Sequence, residues 1–391
     1  MKLHCNITLP ASKSESNRAL MIAAYGGFAP DFQNLSNSND TLVLAESLRK
    51  VQSREPIIDI VDCGTAARFM TTYLACHEGD WILTGTERMK QRPIKPLVDA
   101  LLALGADIQY VEKQGFLPLQ IHGKGLQGGK VSIDMSQSSQ FASSLLLAEP
   151  MFPQGLEIEL FGELSSLPYL DMTLTMMRHF GAEVERKDRA VFVNPKPYEP
   201  RSFKVSADWT AASYWYEMAA FSEDCEIKLC GLVGPSTLRQ AHGSRTAILQ
   251  GDAIIAEWMK SFGVCTTTVA DGITLTKMPF ERKQLSFDFT NHPDLYPTMA
   301  ATCAGLNIEA VFTGLDNLAL KESDRVEAMQ TELAKLGNGP LHFYAHNDHR
   351  IVMALAPLAM RYGMVTFDHP EVVGKSYPGF WKDVSFLTIM W

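Results

Sequence analysis

No apolar run approaches the roughly 18 residues that a membrane-spanning helix needs, so no segment of the 391-residue chain reads as a transmembrane span. Low-complexity tracts and long Pro/Ser linkers are missing, which leaves only short crossings between domains. The seven cysteines (Cys5, Cys63, Cys76, Cys225, Cys230, Cys265 and Cys303) contain no Cys-x-x-Cys pair and no metal-ligand spacing. Neither a GxxxxGK[ST] loop nor an HExxH helix occurs, which removes the P-loop and zincin readings. Positive charge is scarce: 35 Lys and Arg stand against 44 Asp and Glu, a net charge of −9. That balance argues against nucleic acid as the main partner. The first residues, MKLHCNITLPASKSES, lack the apolar core of a signal peptide. With an odd cysteine count, this predicts free thiols in a reducing cytoplasm.

What is present is ordinary globular usage, with 46% hydrophobic and 20% charged residues and a length suited to two or three domains. Four helix-like segments end in an apolar residue followed by glycine, at Gly105, Gly181, Gly263 and Gly337. Each suits a helix C-terminus, where glycine alone takes positive φ without cost. Their spacings are 76, 82 and 74 residues. Strand-like runs come after three of them: ADIQYVE, then AEVERK with AVFVNP, then VCTTTVA with ITLTK. An earlier helix over 40–51 precedes the strand run PIIDIV. Recurrence at a fixed interval predicts a duplicated α/β unit rather than one doubly wound sheet.

Arginine sits where helix electrostatics disfavours it. Arg18, Arg68, Arg325 and Arg350 each appear at the opening of a helical run, beside Ser, Thr, Gly or Asp. A cation at a helix N-terminus costs about 0.3–1 kcal/mol if exposed. A bound anion reverses that sign, because backbone N–H groups and guanidinium then act together. A neighbouring acid, such as Asp324 or Asp348, is the alternative for any one of them. Ser138, Ser139 and Gln140 offer hydroxyls and an amide before the run FASSLLLAEP. Arg88, Lys90, Arg92 and Lys95 gather before PLVDALLALG, and Lys375 lies in VVGKSYPGFW. These groups describe a small, highly anionic substrate without naming the reaction.

The strings LPASKSESNRAL, DCGTAARFM, LTGTERMKQRPIKPLVDALLALGADI, SSQFASSLLLAEP, SSLPYLDMTL, QGD, HPDLYPTMA, LKESDR, NDHRIVMA and GKSYPGFW occur in the order of one family. Over residues 8–385 the chain resembles the 5-enolpyruvylshikimate-3-phosphate synthases. The resemblance implies an α/β fold of two similar domains, each of three βαβαββ repeats, an inside-out α/β barrel with the active site in the interdomain cleft. By analogy the domains are 13–207 and 208–391, with strand 1–12 packing on the second. The implied reaction moves the enolpyruvyl group of phosphoenolpyruvate to the 5-hydroxyl of shikimate 3-phosphate, releasing phosphate in aromatic amino-acid biosynthesis. No metal or organic cofactor is implied, and the family is usually monomeric, with no nucleic-acid or membrane partner.

Carried over by motif, Lys13 lies between the substrates, and Ser14 and Arg18 hold the shikimate carboxylate. Ser138, Ser139, Ser166, Asn317 and Lys321 surround the 3-phosphate, with Tyr169 against the ring and Gln140 reaching both ligands. Gly64, Arg92, Arg325, Arg350 and Lys375 hold phosphoenolpyruvate. Asp294 is the implied base toward the hydroxyl, and Glu322, assisted by Lys13, the acid and base at C3. Several positions depart from the pattern: Asp62-Cys63 for Asn-Ala, Phe69 for Pro and Leu167 for Lys. RQAHGSRT, between Gly231 and Gln250, reads as a surface insertion, and the short segment 338–347 as a trimmed strand pair. A carboxylate at Asp62 is expected to repel phosphoenolpyruvate unless a cation such as Arg68 or Arg92 screens it. The alternatives are a UDP-N-acetylglucosamine enolpyruvyl transferase and a non-catalytic anion-binding paralogue.

Overall fold

The computed structural model describes residues 1–234, 249–281, 284–337 and 340–390, so the RQAHGSRT stretch lies outside the described residues. The chain begins with β1 (Lys2–Thr8), α1 (Lys13–Gly26), β2 (Phe32–Gln33) and α2 (Asn39–Gln52). A βαβαββ series is next: β3 (Ile57–Asp59), α3 (Gly64–Cys76), β4 (Gly79–Thr84), α4 (Lys95–Ala103), β5 (Asp107–Tyr110) and β6 (Leu119–Gly123). The same order recurs in β7 (Gly129–Asp134), α5 (Gln140–Leu147), β8 (Leu156–Phe161), α6 (Leu167–His179), β9 (Glu183–Lys187) and β10 (Ala190–Asn194). After β11 (Phe203–Lys204) come α7 (Trp209–Phe221), β12 (Asp224–Cys230), α8 (Ile255–Trp258), β13 (Val264–Val269) and β14 (Gly272–Lys277). Then come β15 (Leu285–Asp288), α9 (Tyr296–Leu306), β16 (Ala310–Thr313) and α10 (Arg325–Leu333). The chain ends with β17 (Leu341–Phe343), α11 (His349–Leu355), α12 (Ala359–Tyr362), β18 (Val365–Phe367), α13 (Phe380–Asp383) and β19 (Ile389–Met390).

Two compact units result, one of residues 13–205 and one of 1–12 with 206–391. The first holds two four-stranded sheets of identical order, β3-β4-β6-β5 and β7-β8-β10-β9. In each, the first two strands are parallel and the closing pair antiparallel. A third sheet is only the parallel pair β11-β2. In the other unit, β1-β12-β14-β13 repeats the four-stranded order, with β1 parallel to β12 from Lys2↔Asp224 to Thr8↔Cys230. Its second sheet is the parallel pair β15-β16, and its third the all-parallel β17-β18-β19. The duplicated α/β architecture is therefore present, but among the described residues three of the six sheets lack the antiparallel closing pair. Between α10 and β17 the reason is length: residues 334–340 are too few for two strands and a turn.

All four helix-ending glycines adopt left-handed φ, from 75° at Gly263 to 95° at Gly181. The inside-out character arises from which faces are apolar. Every residue of α3, α7 and α11 is buried, the mark of helices surrounded by protein. Strands such as β4 and β8 instead alternate buried with more exposed residues, as one-sided sheets do. Helix α3 packs against α1, α2 and α5 in one unit, and α9 against α7, α10 and α11 in the other. Polar residues on α3 satisfy themselves locally: Thr71 donates to Ala67 O (2.6 Å), and Thr72 meets Ser144 Oγ (2.6 Å). The string Gly123-x-Gly125-x-x-Gly128 joins β6 to β7, two strands, and so is no dinucleotide loop. No helix among the described residues is long and apolar enough to cross a membrane.

Candidate active site

In the unit of residues 13–205, the expected groups gather at the first turns of α1, α3, α5 and α6. Lys13 opens α1 and donates to the buried Asp40 (Nζ–Oδ2 3.0 Å). Arg18 and Arg68 were expected at helix starts, yet each lies a turn inside. Their guanidinium groups reach back instead, Arg18 to Ser14 O (3.0 Å) and Arg68 to Gly64 O (3.0 Å). Charge is thus returned to the N-terminal turn by a side chain seated in the second. Arg18 also donates to Tyr169 O (3.1 Å) and Thr173 Oγ1 (2.7 Å). Burial lowers its pKa to about 10, with Tyr169 and Glu15 opposing. Ser14, Arg18 and Tyr169 therefore form one hydrogen-bonded group.

Gly64 and Arg92 form a second. A Cβ at Gly64 would lie 2.6 Å from an Arg92 terminal nitrogen, so the guanidinium rests on the bare backbone. Arg68 ties this region to Pro93 O (3.2 Å). Cys63 takes the cap of α3, its Sγ accepting from Ala66 N (3.3 Å), with the half-buried Asp62 just before it. Gln140 donates to Thr65 Oγ1 (3.2 Å), and Ser138 Oγ accepts from Gln140 N (3.2 Å). Ser139 and Ser166 are buried at the residues preceding α5 and α6, Ser166 with φ of 57°.

The other unit holds a network of acids and arginines. Asp294 gives one oxygen to Arg325 (2.7 Å) and the other to Arg350 (2.7 Å). Arg325, only 1% exposed, also donates to Glu322 (3.0 Å) and Asp348 (2.8 Å). Asp324, the acid nearest in sequence, instead caps α10 through Val326 N and Glu327 N (3.1 Å each). Asp348 caps α11 by accepting from Arg350 N (3.0 Å) and takes Ser323 Oγ (3.2 Å). Burial alone would raise Asp294, but Arg350, Arg325 and Lys321 together hold it well below the carboxylate range. Burial and the charge on Asp294 push the neighbouring Asp252 up to about 7. Burial lowers His292 to about 4, against the pull of Asp288, and its Nδ1 lies 4.0 Å from Asp252. Asn317 and Lys375 are buried in this unit, and Asn317 Oδ1 accepts no hydrogen bond among the described residues.

Three contributors escaped the sequence, and a fourth was named there only as a possible partner for an arginine. Asp40, Thr65 and Thr173 sit in plain helical contexts and gave no signal. Asp348 was visible in NDHR, but its place between two arginines was not. Among the described residues no group of three or more His, Cys, Asp or Glu could hold a metal ion.

Helical cores under one-sided sheets, repeated in both units, define an α/β protein of the enolpyruvyl transferase fold. The enolpyruvyl transferase NikO of Streptomyces tendae aligns at TM-score 0.68 and 15% identity over 98% of this chain and 95% of that one. An EPSP synthase from Acinetobacter baumannii aligns at TM-score 0.73 and 20% identity over 99% and 96%. Residues 33–384 match the family described as EPSP synthase (3-phosphoshikimate 1-carboxyvinyltransferase). A 3-phosphoshikimate 1-carboxyvinyltransferase of Bacteroides fragilis is 41% identical over 98% of this chain and 95% of its own length. One from Haemophilus influenzae is 34% identical over 96% and 95%. The chain belongs to the EPSP synthase family.

Proposed function

We propose that this protein is a 3-phosphoshikimate 1-carboxyvinyltransferase, joining the 5-hydroxyl oxygen of shikimate 3-phosphate to C2 of phosphoenolpyruvate and releasing phosphate. The observation that carries the reading is the sharing of Arg325 by Asp294 and Glu322, the two acids assigned to proton transfer. In the free protein the acids serve as counter-ions to Arg325 and Arg350. An arriving phosphoenolpyruvate, with its own carboxylate and phosphate, competes for the same guanidinium groups. Asp294 then loses cationic neighbours, its pKa climbs, and it becomes a usable base. It takes the proton of the attacking hydroxyl while Glu322, with Lys13, delivers one to C3, giving a tetrahedral ketal phosphate. Loss of a C3 proton and cleavage of the bond to phosphate complete the reaction.

Ser14, Arg18, Ser138, Ser139, Gln140, Ser166, Tyr169, Asn317 and Lys321 are assigned to shikimate 3-phosphate. Gly64, Arg92, Gln140, Arg325, Arg350 and Lys375 are assigned to phosphoenolpyruvate. Domains 13–207 and 208–391, the latter with strand 1–12, each supply part of the site, in a cytoplasmic monomer. A phosphate-release assay tests the reading. Phosphate should appear with both substrates together and with neither alone. No release with the pair would overturn it, and release only with UDP-N-acetylglucosamine as acceptor would point to the sister activity.

A further inference from the structure

Three repeats of this chain close with a strand pair after their second helix: β5–β6, β9–β10 and β13–β14. Between α10 and β17 only residues 334–340 intervene, and no such strand pair lies there among the described residues. One side chain occupies the junction. Glu332, in the last turn of α10, is fully buried. Its Oε2 accepts from Lys335 Nζ (2.5 Å) and from the backbone N–H of Tyr344 (3.0 Å). Its Oε1 accepts from His346 Nε2 (2.8 Å). A buried carboxylate with three donors is compensated, and losing it leaves those donors short.

Beyond Tyr344 the backbone is under constraint. Asp368 accepts from Ala345 N (2.7 Å), and His346 and Asn347 both take left-handed φ, 50° and 53°. Non-glycine residues keep that conformation only where their surroundings hold them in it. The next residues are Asp348, which receives Arg325, and Arg350, which grips Asp294. Glu332 lies seven residues after Arg325 on one helix, hence on the same face. A single acid thus couples the helix that starts with Arg325 to the turn that delivers Arg350.

We propose that Glu332 is a positioning residue: through His346 and the Tyr344 N–H it replaces the absent strand pair and fixes the 345–348 turn that presents Arg350. Its kinetic consequence rests on the assignment of Arg325 and Arg350 to phosphoenolpyruvate. The test compares wild type with Glu332→Gln, His346→Ala and His346→Gln, the last keeping a side-chain N–H of similar reach. Glu332→Gln and His346→Ala should raise KM for phosphoenolpyruvate about tenfold, as small misplacements of a binding group do. KM for shikimate 3-phosphate should stay within about twofold, and His346→Gln should recover most of the loss. Hydrogen exchange should quicken at 344–350 and stay unchanged in residues 13–205. Should Glu332→Gln fail to fold, His346→Ala, which leaves Lys335 and Tyr344 in place, carries the test. Unchanged exchange at 344–350, or two Michaelis constants rising together, would overturn the proposal. A wild type without turnover would sink the proposed reaction alone, since exchange is read without it.

Discussion

Asp294 is half-buried, and its desolvation favours the neutral form, yet two arginines on its two oxygens keep it charged. The same Arg325 holds Glu322, so replacing either acid leaves a buried cation partly uncompensated, and only an isosteric change isolates the chemistry. Glu322→Gln keeps an acceptor for Arg325 but has no proton to give. Both substrates should still bind, kcat should fall by about 10²-fold or more, and deuterium from heavy water should no longer enter C3. Normal deuterium incorporation by this variant would remove Glu322 from the acid's role. Gly64 allows a different test, because its missing side chain is the seat of Arg92. Gly64→Ala should push the guanidinium aside, weakening phosphoenolpyruvate binding by about 1.5 kcal/mol, or tenfold, with shikimate 3-phosphate little affected. Equal affinities for phosphoenolpyruvate in the two proteins would show that Arg92 has another place to rest.

Among the elements, the glycine-terminated helices were legible because a left-handed C′ residue leaves a local signature. Gly105, Gly181, Gly263 and Gly337 marked four helix ends, and the strand runs after the first three fell where β5, β9, β10, β13 and β14 lie. The reduced repeats were legible only at 338–347, since strands of two or three residues such as β2, β11 and β19 have too little sequence to alternate. Of the site, the motif residues could be named, but not Asp40 beneath Lys13 or the return of Arg18 and Arg68 to their own first turns. Those depend on side-chain paths that spacing does not encode. Buried acids outside the site were equally silent. Glu149, just after α5, has no exposure, one oxygen on Lys196 N (3.3 Å), and a pKa raised by burial to about 8. The native state therefore keeps a proton that the unfolded chain has released between about pH 4.3 and 8. Stability falls as pH rises through that window, by up to about 1.4 kcal/mol per unit from this group. Glu149→Gln removes the titration and should be the more stable protein at pH 8.5 but not at pH 5.5, by urea denaturation. Parallel curves for the two proteins would show that Glu149 is charged in the fold.

For the whole molecule, the assigned residues divide between two units, Lys13 to Tyr169 in one and Asp294 to Lys375 in the other. If one chain supplies both sets, inactive variants cannot repair each other. Mixing Lys13→Met with Arg350→Ala should leave activity at the sum of the separate residues, even after prolonged incubation. Recovery toward a quarter of wild type, about what random exchange into shared-site dimers allows, would mean that sites are shared between chains, and would end the monomer reading.

The pairing of β1 with β12 also orders events during synthesis. Residues 13–205 form a continuous segment, so their unit can gather as it leaves the ribosome. Strand β1 precedes that unit in the chain, yet its seven-residue partner spans Asp224–Cys230, and until that is made its hydrogen-bonding edge has nothing to close on. Strand β1 must wait through the making of an entire unit, and closing so long a loop is a late and slow step. A translating chain stalled before Asp224 would therefore hold a folded unit behind a strand with an unpaired edge, the form in which chaperones should meet this protein.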